Sequence, residues 1–226
     1  MNTMNFIIPI LSQRQPLAGL FAIAATCLIT GCSDPADKVT KSATTEPKEA
    51  AKPGAAGKDY VIRAESTIGF VGSKVTGSHN GGFKKFAGKV SAAGGAVTAA
   101  EVKIAMASSW ADNPRLTGHL QSPDFFDAAK YPTATFTVTS IQPSGAQKTV
   151  TGNLDLHGVT KSITFPADVQ VGGDAVTVKA EFAINRKDFN INYPGKPNDL
   201  IRDNVVLKLD LKATSGEPRP EDQLGN

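Results

Sequence analysis

Three histidines, two cysteines and a closely spaced pair of aspartates are the residues of this 226-residue chain whose chemistry could go beyond packing. His79 sits in "TGSHNGG", His119 in "RLTGHL" and His157 in "DLHGVT". A zinc site needs three or four converging ligands, and no two of these histidines have the i, i+4 helix spacing that brings a pair together cheaply. Structural hydrogen bonding is the simpler role for each. Asp124 and Asp127 have the residue type for acid–base work, but between Ser-Pro and Ala-Ala they suit the capping of a short helix. There is no Gly-x-Ser-x-Gly elbow, no Walker-type phosphate loop and no dinucleotide fingerprint. The glycine-rich "TGSHNGGFKKFAG" lacks a preceding buried strand and a following helix, so it reads as a flexible inter-strand loop with Phe83 and Phe86 turned inward. These residue types lead to no catalytic residue, no metal ligand and no cofactor.

The cysteines say more about location. Arg14 and the uncharged run Leu17 to Ile29 have the length of a signal peptide, too short for a membrane span of roughly 20 residues. The run ends in Leu28-Ile29-Thr30-Gly31-Cys32, which resembles the bacterial lipobox, where the cysteine is acylated and the chain is cut on its N-terminal side. An ordinary secretory signal with an incidental cysteine is the alternative. On the lipobox reading, residues 1–31 are removed and Cys32 carries lipid. No cysteine pair remains for a disulfide, so stability must come from a core. Ser33 fits sorting to the periplasmic face of the outer membrane, and Asp34 leaves that open. Residues 33–58 have no apolar periodicity and read as a flexible tether, with a random-coil span of roughly 25–30 Å. Residues 215–226 read as a disordered tail. The formal charge is +3, and its Lys and Arg residues are dispersed, which argues against a nucleic-acid footprint.

Residues 59–214 are written in alternation. In "AEVKIAMAS", "TATFTVTS", "TVTGNLDLHG", "AVTVKAEFAI" and "NVVLKLDLKA" apolar and polar residues exchange at every step. Such runs give strands with one dry and one wet face. Gly94-Gly95, Pro143-Ser144-Gly145, His157-Gly158 and Gly172-Gly173-Asp174 punctuate them as turns. The count is about eight strands with no βαβ rhythm, which predicts an all-β fold: an eight-stranded antiparallel barrel, closed so that no edge is exposed, with a two-sheet sandwich as the alternative. One short helical insertion interrupts the pattern after Asn113. It carries Leu116, Leu120, Phe125 and Phe126, in the setting of a lid. The inward set is Phe70, Val102, Ile104, Met106, Phe136, Val138, Leu154, Leu156, Phe182, Ile184, Leu207 and Leu209, and Phe125 and Phe126 would close or line the same interior. An eight-stranded barrel of this kind is either filled by such side chains or holds one small ligand. Arg186, Arg202 and His119 are the candidates for meeting a polar head group at its mouth.

Several segments together, "RLTGHLQSPDFFDAAKYPTATF", "GNLDLHGVTKSITFPA", "FAINRKDFNINYPG" and "LIRDNVVLKLDLKA", closely resemble the YceI-like family, in order, from about Asp59 to Thr214. The first strand departs from the pattern, with Glu65-Ser66 where many members carry His-Ser. The resemblance implies a lipocalin-like barrel with a helix-containing insertion, exported, that binds long amphiphiles in an apolar tunnel. The implied ligand is an isoprenoid quinone, a polyprenol derivative or a fatty amphiphile. The expected protein is a membrane-tethered carrier, store or sensor that performs no catalysis and binds no nucleic acid, its oligomeric state left open, a homodimer included. The rival expectation is a structural or interaction lipoprotein whose barrel is filled by its own side chains.

Overall fold

The computed structural model describes residues 33–52 and 57–224. The expected signal peptide and Cys32 lie outside the described residues. In chain order the strands are β1 (Thr40–Lys41), β2 (Ala43–Thr45), β3 (Lys58–Ile62), β4 (Thr67–Lys74), β5 (Gly77–Phe83), β6 (Phe86–Ala93), β7 (Ala96–Ala105), β8 (Ser109–Ala111), then helix α1 (Pro114–Gln121). They continue as β9 (Thr133–Ser144), β10 (Gln147–Leu156), β11 (Val159–Val171), β12 (Ala175–Asn185), β13 (Gly195–Lys196), β14 (Asp199–Leu200) and β15 (Asn204–Thr214).

Strict alternation makes each strand one-sided, and the sheet buries its apolar side by rolling up. β3 with β4, β5 with β6, and β7 with β8 act as three bent staves, because β3 and β4 pair antiparallel with β6 and β5, and β6 and β5 pair with β7 and β8. From there the meander runs through β9, β10, β11, β12 and β15, and β15 returns to pair with β3 and β4. The result is a closed eight-stranded antiparallel barrel of up-and-down topology, as the alternation predicts. Two of its turns use paired residues at positive φ, Gly94-Gly95 (58° and 78°) and His157-Gly158 (55° and 74°), the geometry that matches strand twist in a two-residue hairpin. The breaks in the three bent staves, at residues 63–66, 84–85 and 106–108, fall side by side in the register, so the barrel bends along one line. Above that line β8 leaves β9, and α1 covers its freed edge: Ala111 N–H donates to Thr117 Oγ1 at 2.9 Å, and Gln121 Nε2 donates to the Ala107 and Ser109 carbonyls at 3.0 and 3.1 Å.

Three expectations need correction. The glycine-rich stretch at 77–83 is strand β5, not a loop. Its glycines admit neighbours: a Cβ at Gly81 would collide with the Phe70 ring that lies across it. The segment after Ser33 is not a free tether. Asp34 caps a 3-10 turn at Pro35–Lys38, Ala36 is fully buried against Val71, Ala183 and Val206, and β1 and β2 pair with β12 and β11. Lys48 then exchanges two hydrogen bonds with Asn153, and Ala51 N–H donates to the Val138 carbonyl. Small polar residues carry no amphipathic signal, yet their backbone groups satisfy open strand edges as well as any others. The tail is also docked. Asp222 is 2% exposed and accepts from Arg63 Nη1 at 2.7 Å, Ala64 N at 2.9 Å and Arg219 Nε at 3.0 Å.

The hydrogen bonds from Arg219, then Arg63, hold the Asp222 carboxyl well below the usual carboxylate range. A depressed folded-state value stabilises the fold above the unfolded value of about 4, and that stabilisation is lost as pH falls through the folded value. Asp222→Asn is therefore expected to cost about 3 kcal/mol in urea unfolding at pH 7 by leaving Arg63 uncompensated, and the deficit is expected to shrink below pH 4.

Candidate functional site

The barrel's inward side chains do not meet across its axis. They enclose about 230 Å³ that no side chain fills, in a cavity lined from Ile62, Val90 and Ala213 near one end to Ile191, Ile201 and Arg186 near the other. From Ala213 to Val205 on β15 the lining extends over nine residues of strand, roughly 26 Å of wall. All fourteen residues expected to line the interior do so, Phe125 and Phe126 included. Phe165, Ile163 and Val176 belong to the same surface and were legible as alternation in "SITF" and "AVTV". Ile191 and Ile201 come from an irregular loop with no period to announce them.

Shape within the bore depends on a close approach between β9 and β10. Phe136 lies flat over Gly152, where any Cβ would collide with its ring, and the β9–β10 register shifts by one residue at the same place. Phe136 also packs on Phe165 with centroids 5.8 Å apart, and Phe165 stacks on Phe182 at 3.9 Å and 5°. These rings form part of the wall and leave the axis open.

At the upper end the adjacent phenylalanines of the insertion do two different things. The turn after α1 is held by Phe126 N–H to the Leu120 carbonyl (3.0 Å) and Asp127 N–H to the Ser122 carbonyl (2.9 Å), with Asp127 at φ 45°. That geometry sends Phe126 down between Phe70 and Phe83, with centroids 6.5 and 5.8 Å away. Phe125 instead meets His119 edge-on at 4.9 Å and Tyr193 at 5.4 Å, and His119 and Tyr193 meet at 5.0 Å. The insertion is thereby pinned to the loop that follows β12. A large apolar pair in a polar connection is thus a stopper and a clasp.

The three head-group candidates separate. Arg186, 4% exposed, is the one charged residue in the described lining, and its burial pushes its pKa down while Asp203, 3.6 Å away, opposes the shift. Its donors are engaged with the carbonyls of Ile191 (2.6 Å), Arg202 (3.1 Å) and Ile201 (3.3 Å), so it ties the 186–203 loop into a ring. Arg202 lies outside the lining, 3.8 Å from Asp34. His119 is outside it too, with Nε2 2.8 Å from Asp124. His79 pairs with Asp112, and His157 Nδ1 meets the Phe189 carbonyl at 3.1 Å. Among the described residues no three of His, Cys, Asp and Glu converge as a metal site.

A closed meander around an apolar bore, with a lid at one end, defines a calyx-type barrel. The family model for the YceI-like domain matches residues 60–213, and the chain belongs to that family. A UPF0312 protein of Pseudomonas putida is 34% identical over 158 residues, covering 63% of this chain and 81% of that protein. The crystal structure of Burkholderia cenocepacia BcnA superposes with a TM-score of 0.60 at 28% identity, over 67% of this chain and 98% of its own. A structure described as a polyisoprenoid binding domain from Saccharophagus degradans, implicated in plant cell wall breakdown, shares the fold with a TM-score of 0.58 at 22% identity, over 70% and 99%.

Gly152→Ala is expected to destabilise the fold by about 1–3 kcal/mol, because the new methyl displaces Phe136 in a packed wall. Equilibrium denaturation checks it: the midpoint should fall with an unchanged m-value.

Proposed function

We propose that this chain is a membrane-tethered binding protein that carries, stores or senses a long-chain isoprenoid or similar amphiphile inside its barrel. The observation that carries the reading is the unfilled apolar bore. An unfilled 230 Å³ costs on the order of 5 kcal/mol, a large share of a typical 5–15 kcal/mol of stability. A hydrocarbon chain removes that cost and contributes about 0.8 kcal/mol per buried methylene, less the cost of association. The lining offers almost no hydrogen-bonding partner, so the buried part of the ligand carries no polar group. Arg186 marks the end at which a carbonyl or anionic head would sit, once a loop carbonyl yields its place. Membership of the YceI-like family, and the shared fold of a domain described as polyisoprenoid binding, support a lipid of prenyl type.

The tether is Cys32, acylated after removal of residues 1–31, and the periplasmic face of the outer membrane is the proposed location. Asp34 is bound to the barrel through Ser73 and Arg202. Two residues of chain span at most about 7 Å, so a lipid on Cys32 would hold the barrel against the bilayer.

Native mass spectrometry of the full chain extracted from bacterial membranes tests the reading. The expected result is a mass above that of the lipidated chain, with a prenyl or acyl lipid released on denaturation. Val138→Phe, which places a ring in the bore, is expected to lower lipid occupancy at least tenfold while leaving stability unchanged or higher, since it fills space. A Val138→Phe chain destabilised by about 1–3 kcal/mol, with no lipid on the parent, would mean a filled core and would overturn the reading.

A further inference from the structure

The barrel wall is not continuous. β11 and β12 are hydrogen-bonded to each other only over Asp168–Val171 and Val176–Lys179. Beyond that level they part, and the segment 40–45 occupies the gap. Thr40 and Lys41 pair in parallel with Phe182 and Ala183, while Ala43–Thr45 pair antiparallel with Ser162–Thr164. Pro166, which has no N–H to donate, stands in β11 between the two pairings, where an interrupted ladder tolerates it. Inside the gap, the stacked rings of Phe165 and Phe182 bridge from one strand to the other, and both line the cavity. Outside it, a groove of about 560 Å³ runs beside Thr40, Pro166 and Lys179, and Leu209 belongs to the linings of both groove and cavity. At this place one short strap and two rings separate the bore from solvent.

The strap is the weakest part of the wall. None of residues 40–45 is buried, and its fastenings lie to either side: Ala36 in its small apolar socket, and the Lys161–Glu46 pair at 2.6 Å. Few buried contacts and exposed backbone bonds mark a segment that opens far more often than the whole fold. The upper end, by contrast, is held by the Phe126 stopper, the His119–Phe125–Tyr193 clasp and the loop tied by Arg186.

We infer that residues 40–45 are a detachable stave closing a side portal between β11 and β12, and that the ligand's hydrocarbon chain enters and leaves the bore there. The inference rests on the lipid-binding reading above. It gives the N-terminal segment a use beyond attachment: a lipid on Cys32 would bring the portal to the bilayer that supplies the ligand.

The test follows uptake and release of cis-parinaric acid, a fluorescent long-chain fatty acid, by the full chain. Ala43→Pro/Thr44→Pro removes two amide donors from the strap and leaves every barrel strand intact; it is expected to speed both uptake and release at least ~tenfold, with affinity changed less than ~threefold. Ala36→Asp, which unseats the neighbouring anchor, is expected to act in the same direction. Hydrogen exchange of the parent chain gives an independent reading. Amides of the strap, and those among residues 162–164 that face the strap and not β10, should exchange together and much faster than those joining β9 to β10. Binding with rates indifferent to both variants, or strap amides as protected as the barrel's, would overturn the portal alone. No fluorescence change in any chain would overturn the lipid reading and the portal with it.

Discussion

A sheet of eight strands that closes on itself encloses a fixed cross-section, and the inward side chains must either meet at the axis or leave it open. Here the inward positions are mostly Val, Leu, Ile and Phe, large enough to make a dry surface and, held against the wall, too short to fill the middle. The wall itself consumes the largest rings. Phe136 lies over Gly152, Phe165 stacks on Phe182, and Phe70 crosses Gly81. Each of these contacts takes an aromatic away from the axis. The hollow is a consequence of where the rings are parked.

Closure also dictates where the irregular parts go. At the line of breaks across the three bent staves the β7–β9 ladder ends and β8 pairs with β5 alone, so the freed edge needs α1 and its phenylalanine pair to cover it. The parting of β11 from β12 needs the N-terminal segment in the same way. In both places backbone groups freed from the ladder find partners in a covering element, as buried N–H and C=O groups must. The two covers differ in strength. One is fastened by buried aromatics, the other mostly by backbone bonds at the surface.

The sequence made the barrel legible because alternation is a property of single strands, and the closed meander is the arrangement that hides them all. Twelve of its fourteen expected lining residues fall on the cavity for the same reason, and Phe125 and Phe126 join them from the insertion. What it did not disclose is whatever depends on pairing without patterning. β5 was hidden by glycines whose purpose lies on neighbouring strands. Segment 40–45 pairs through its backbone alone, so its side chains carry no trace of the two edges it joins. The docked tail rests on Arg63 and Asp222, far apart in the chain, and no local signal couples them. Arg202 and His119, two of the three head-group candidates, lie outside the lining: Arg202 faces Asp34 and His119 holds Phe125 in place.

Diffraction from a crystal of the chain pressurised with xenon tests the central claim most directly, because xenon enters dry apolar cavities and not packed cores. The account predicts density within the bore between Phe136, Val150 and Leu207, either from xenon or from a hydrocarbon chain already seated there. Inward side chains in contact across the axis, with no density between them and no xenon bound, would contradict it.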